Sequence, residues 1–187
     1  MERKMSRHFN SLALTLVFTA AASHNGFAQS QSQQTPPGRN IDLGFDGLAN
    51  AMAFKIYKTH GFTVRRVKPG WTVDGTFGNP APEIEFLVPA NKVVSYAVTV
   101  TEAGKQFSLD SIDIYSSVAA VNWQLVGSLK GQMVYKDKGQ IPNPMGGFAT
   151  VSNPDAATPV DSVEITLTAV KSGAENPIGL DNIVVEK

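Results

Sequence analysis

The chain contains no cysteine. That excludes disulfides, thiolate metal sites, thiol nucleophiles and thiol redox chemistry. Histidine is nearly as scarce. Of three, His8 and His24 fall in the first 28 residues, which leaves His60 beside Gly61. A single imidazole without thiolates cannot supply the three or four ligands of a usual zinc site. A Ser-His-Asp arrangement would have to use His60 itself, and no nucleophile-elbow sequence supports one. Neither sign of charge is in excess: Lys+Arg and Asp+Glu each number 16. The short run Arg65-Arg66-Val67-Lys68 reads as a solvated strand end, because a nucleic-acid footprint clusters many positive charges. Nucleic acid is therefore not an expected partner.

Long apolar runs are missing too. The longest, Leu12 to Ala22, falls well short of the roughly 20 residues that a spanning helix needs. It follows a basic stretch with Arg3, Lys4 and Arg7 and precedes Gly26-Phe27-Ala28. That order reads as a secretory signal over residues 1–28, cut between Ala28 and Gln29. The expected mature protein is exported, extracellular or periplasmic, without a membrane span. Residues 29–40 begin Gln-Ser-Gln-Ser-Gln-Gln-Thr-Pro-Pro-Gly-Arg. This polar, breaker-rich leader has nothing to bury and is expected to be disordered. One domain is expected over 41–187, long enough to bury a core without disulfides.

From Ile41 the apolar residues repeat mostly every second position. Ile41, Leu43 and Phe45 do so, as do Phe62 and Val64, and Val94, Tyr96, Val98 and Val100. Ile112 and Ile114, then Val121, Trp123 and Leu125, then Val163, Ile165 and Leu167 follow the same rule. The last segment runs Ile178, Leu180, then Ile183 and Val185. Alternation of this kind marks strands with one buried face. Turn formers such as Lys68-Pro69-Gly70, Gly78-Asn79-Pro80 and Asn153-Pro154-Asp155 separate them. Leu48 to Lys58 has helical composition but no clear cap, so a loop with at most a short turn is expected there. Eight to ten strands predict an all-β, two-sheet antiparallel sandwich.

Four segments carry a resemblance. They are Ile41-Asp42-Leu43-Gly44-Phe45-Asp46-Gly47-Leu48, Phe107-Ser108-Leu109-Asp110-Ser111-Ile112-Asp113-Ile114, Trp123-Gln124-Leu125-Val126-Gly127 and Gly179-Leu180-Asp181-Asn182-Ile183-Val184-Val185. In this order they resemble the galactose-binding-like jelly rolls of bacterial secreted and PEP-CTERM-type proteins, similar in fold to carbohydrate-binding modules. Such motifs are specific for fold and weak for function. PEP-CTERM proteins end in a sorting tail, whereas this sequence ends at Glu186-Lys187, so free secretion is expected. The resemblance also implies a structural calcium tying the first strand to the last, with Asp46 and Asp181 at the matching positions. As an alternative, both aspartates serve as turn residues.

Glycosidase chemistry would need two carboxyl groups roughly 5–5.5 Å or 6.5–9.5 Å apart. Glu83 and Glu85 share a strand face at period two, whereas Asp110 and Asp113 cannot share one. The expectation is that these acids are solvated strand faces and that the protein is not an enzyme. For sugar binding, an exposed ring is wanted. Trp123 is in register with Val121 and Leu125 and is expected in the core. Trp71 follows a turn among Thr72 and Asp74, and Tyr115 alternates with Ile112 and Ile114. Those two rings are the candidate ligand contacts, while Tyr57 and Tyr135 form no motif. The expected function is a non-catalytic extracellular binding module for a glycan. A structural or adhesive matrix protein is the alternative, and a small polysaccharide hydrolase or lyase is a remoter one.

Overall fold

The computed structural model describes residues 38–187. The expected signal peptide and residues 29–37 of the leader lie outside the described residues. Twelve strands form two six-stranded antiparallel sheets, the expected β-sandwich, and no helix occurs among the described residues.

Sheet I runs β10 (Gly147–Ser152), β7 (Ser108–Ser116), β12 (Asn176–Glu186), β5 (Glu83–Val88), β4 (Thr72–Asp74). The short β1 (Asn40–Asp42) also pairs with β12. Sheet II runs β2 (Ile56–Thr59), β3 (Phe62–Arg66), β6 (Ser95–Glu102), β11 (Ser162–Ala169), β8 (Val121–Leu129), β9 (Gln132–Ile141).

The alternating apolar residues of both sheets meet between them. Ile84, Phe86, Ile114 and Leu180 from sheet I face Val64, Val98, Ile165 and Leu167 from sheet II, all buried in one cluster. Edge-to-face ring pairs strengthen it, Phe62 on Phe107 at 5.1 Å and Trp71 on Phe86 at 4.9 Å. Such pairs add about 0.5–1.5 kcal/mol beyond their area.

The parity change between Leu180 and Ile183 has a structural cause. The β7–β12 register shifts between Asp181 and Val184, and Asn182 takes the left-handed φ of 42°. This bulge lets even positions before it and odd positions after it both reach the core. The segment from Leu48 is irregular as expected, but its end forms β2, an edge strand.

The two sheets differ in charge. The six strands of sheet I carry Asp42, Asp74, Glu83, Glu85, Asp110, Asp113, Asp181 and Glu186, with no lysine or arginine. The strands of sheet II place Lys58, Arg65, Lys136 and Lys138 on the outer face, with Glu164 as the acid among them. The balanced composition hides this segregation.

Candidate functional site

The outer face of sheet II carries an open groove of about 690 Å³. It crosses β6, β11, β8 and β9, and strand pairing sets its side chains in two rows. Ser95, Thr168, Asn122 and Gln140 are register partners along one. Thr166, Gln124 and Lys138 are partners along the other. All lie at positions opposite in parity to the core residues of the same strands, so the pleat points them to solvent. Strand geometry makes the two rows roughly 7 Å apart and the longer row about 14 Å long.

Within the first row the polar groups pair with each other. Ser95 Oγ and Thr168 Oγ1 are 2.8 Å apart, and Gln140 Nε2 donates to Asn122 Oδ1 at 2.8 Å. The second contact occupies the carbonyl of Asn122 and leaves its amino group free to donate outward. Lys138 is the charged side chain of the lining, which holds no carboxylate.

Trp123 and Gly139 complete the lining, but the indole belongs to the other face. It packs against the core with Val121 and Leu125, as its register predicts, although it is only partly buried. It lies across Gly139, where an added Cβ would stand 2.6 Å from Cζ2.

The two expected ligand-contact rings are not exposed. Trp71 is 1% exposed, wedged against Phe86 and Tyr96. The turn before it ends at Gly70 with φ 128°, which seats the backbone against the Tyr96 ring and turns the indole inward. Tyr115 does point to the outer face of sheet I, opposite Ile114, but is 3% exposed. Phe77 and Phe148 cover its ring, at 5.3 and 5.5 Å between centroids.

The acids of sheet I also depart from expectation. Glu83 is not a solvated strand residue: it is fully buried, and neither carboxyl oxygen has a hydrogen-bond partner among the described residues. Burial first, then Glu85, Asp181 and Asp74 beside it, push its pKa up to about 9. Glu85 shares its outward face and is also raised, by burial and then by Asp74.

Asp46 and Asp181 occupy different settings. Asp181 is fully buried, with Oδ2 accepting the Asn79 N–H at 2.7 Å and Oδ1 unpartnered. Burial, opposed by the Asn79 and Asn182 amides and aided by Asp42 and Asp113, moves it to about 6. Asp46 is exposed in the turn after Phe45. Asp42, which the sequence reading passed over, is electrostatically coupled to both. Asp42 Oδ1, Asp46 Oδ2 and Asn182 Oδ1 each lie 3.8 Å from the point where a Gly44 Cβ would stand. Among the described residues no three carboxylate or imidazole side chains converge as a metal cage. His60 sits exposed in the β2–β3 turn, with Nδ1 2.9 Å from Thr59 Oγ1.

No protein-family model matches the chain, and no curated protein matches it in sequence. Similar solved structures exist. The chain resembles the carbohydrate-binding module CBM29_1 from Piromyces equi, with 10% identity, a TM-score of 0.46, and coverage of 80% of this chain and 89% of that one. A variant of CBM29-2 complexed with cellulohexaose gives 12%, 0.46, 81% and 92%. An arabinose-bound α-L-arabinofuranosidase, MgGH51, gives 11%, 0.44, 76% and 25%. The chain thus spans about a quarter of that enzyme's length, and 19% of a matched bacteriophage CBA120 tailspike protein.

Proposed function

We propose that the domain is a non-catalytic, secreted glycan-binding module of jelly-roll type, with its ligand lying across the groove on sheet II. The observation that carries this reading is the pair of in-register rows of hydroxyl and amide side chains on an open, solvent-facing sheet. A sugar presents hydroxyls that both donate and accept, and Asn122, Gln124, Gln140, Thr166 and Thr168 offer both functions. Catalysis is disfavoured because the groove lining has no carboxylate or histidine. The Glu83 and Glu85 pair sits on the opposite sheet, with Glu83 sealed from substrate. A glycan-array screen tests the reading. The double variant Asn122→Ala, Gln124→Ala is expected to lose the positives without a change in melting temperature. Binding that survives the double variant would move the site elsewhere.

A calcium ion near Asp46 and Asp181 belongs to the same proposal. The unpartnered Asn182 Oδ1 and the neighbouring Asp42 support it, because a hard cation takes six to eight oxygens and accepts amide and carbonyl donors. The adhesive alternative draws on β9, a ten-residue edge strand with exposed Met133 and Val134. Lys136 and Lys138 on that edge work against strand-to-strand association.

A further inference from the structure

We propose, resting on the groove reading above, that the ligand is a carboxylated polysaccharide, a polyuronate, rather than a neutral glycan. Three independent features of the groove lead there.

The first is charge. Lys138 stands in the lining without a carboxylate beside it. Lys136 precedes it by two residues on the same strand face, roughly 7 Å away. Glu164 is the acid of this face. It lies one row off the groove, where register sets it beside Val126, next to Lys136, and beside Thr99, next to Arg65. Thr166 Oγ1 also donates to it at 3.4 Å. The potential over the groove is therefore positive, and a chain of carboxylates is drawn to it.

The second is the orientation of the amides. Gln140 Nε2 donates to Asn122 Oδ1, which leaves the Asn122 amino group to donate to a ligand beside the Gln140 carbonyl. The Lys138 ammonium is a donor only, and it adds to the Asn122 amino group. A carboxylate accepts on two oxygens and offers no donor, so it matches such a site better than a hydroxyl does. Charge-assisted hydrogen bonds of this kind are roughly twice as strong as neutral ones.

The third is the lack of a platform. The indole of Trp123 turns to the core side of β8, and no other aromatic residue lines the groove. A neutral sugar bound here would have to rely on neutral hydrogen bonds alone, each worth about 1 kcal/mol net. Meanwhile the acids in the strands of sheet I other than the protonated Glu83 repel a polyanion from the other face, which favours this one.

The test uses the full chain and a matched pair of probes: polygalacturonate, and the same polymer fully methyl-esterified. Esterification removes the charge and leaves the hydroxyls. Titration calorimetry at low salt is expected to show polygalacturonate binding about tenfold tighter. Lys138→Gln is expected to weaken polygalacturonate far more than the ester, and so to abolish that preference. Lys138→Arg is expected to keep it, and raising the salt toward 1 M, where the Debye length falls to about 3 Å, to shrink it.

Equal binding of the two polymers overturns the inference and leaves the glycan-groove reading standing. So does binding of neutral array glycans with none of polygalacturonate. Failure of every glycan, charged or neutral, overturns both. A single-stranded DNA probe bound as tightly as polygalacturonate overturns it as well, since the face would then be a general polyanion surface. Melting curves of the Lys138 variants, expected to superimpose on the parent, separate lost recognition from lost folding.

Discussion

The carboxyl group of Glu83 on β5 lies across the bare Cα of Gly179 on β12, and a Cβ built on that glycine would collide with it. The pair is a packing lock on the outer face of sheet I. Gly179→Ala must displace a buried carboxyl group and is expected to cost about 1–3 kcal/mol, as overpacking does. Urea denaturation at fixed pH measures it. If the double variant Gly179→Ala, Glu83→Ala were no more stable than Gly179→Ala alone, the collision would not be the cause.

Glu83 also sets a pH dependence with a definite sign. Its pKa is raised from 4.5 to about 9, by burial first and by Glu85, Asp181 and Asp74 next. Between those values the folded state holds a proton that the unfolded chain releases, so stability falls as pH rises through that window. The contribution of the neutral carboxyl group is complete below pH 4.5 and gone above about 9. Glu83→Gln, which is neutral at every pH, is expected to raise the melting temperature at pH 8 relative to the parent and to match it near pH 4. Parallel curves for the two proteins across the window would refute the assignment.

Trp71 separates folding from binding. Its indole is among the largest fully buried side chains, so Trp71→Ala is expected to cost about 3–5 kcal/mol. Glycan affinity per folded molecule should not change, because the ring lies in the core, on the other side of sheet II from the groove lining. A stable Trp71→Ala protein that no longer binds would return this ring to the ligand site.

Gly139→Ala tests the seat of Trp123. The new methyl group would stand 2.6 Å from Cζ2, and the indole must move outward. Its fluorescence maximum is expected to shift to longer wavelength, with about 1–3 kcal/mol of destabilisation. An unshifted spectrum would mean that the ring does not rest on Gly139.

For calcium, mass action gives the size of the effect. An ion at 100 times its Kd stabilises the folded state by about 2.7 kcal/mol. A chelator should then lower the melting temperature by several degrees. Asp46→Ala and Asp181→Ala should each remove that sensitivity, and their effects on it should not add. Superimposable curves with calcium and with chelator end the proposal.

The sandwich was legible wherever one strand face is wholly apolar, as in Val98 and Val100 of β6 or Ile165 and Leu167 of β11. It was not legible in β9. There the inward positions are Tyr135, Asp137 and Gly139, and the outward ones are Lys136, Lys138 and Gln140. An edge strand over a thinning core needs no apolar alternation, and Gln140 and Lys138, the β9 members of the two rows, went unread with it. Asn122 and Gln124 were visible as polar residues interleaved with Val121, Trp123 and Leu125, but only cross-strand pairing with Thr166 and Thr168 makes them a row. Trp71 misled because its neighbours Thr72 and Asp74 are polar, while alternation and the Gly70 backbone send the ring itself inward. Glu83 misled likewise: strand parity pointed it outward, and the 75–82 segment carrying Phe77 closes over that face.

The segregation of charge between the sheets makes the domain an electric dipole from one face to the other, although beyond residue 28 Lys+Arg and Asp+Glu nearly balance, 13 against 15. A molecule of this kind feels little net pull from a distant polyanion. It does feel a torque once it comes within a Debye length, about 8 Å at physiological ionic strength. Sheets in a sandwich are about 10 Å apart, so the near face is strongly coupled to the polymer while the far face is largely screened. On the polyuronate proposal, collisions that begin with sheet I foremost would be turned away, and those that begin edge-on would rotate until sheet II leads. The polar rows then meet the polymer already facing it, which shortens the rotational search that otherwise limits association.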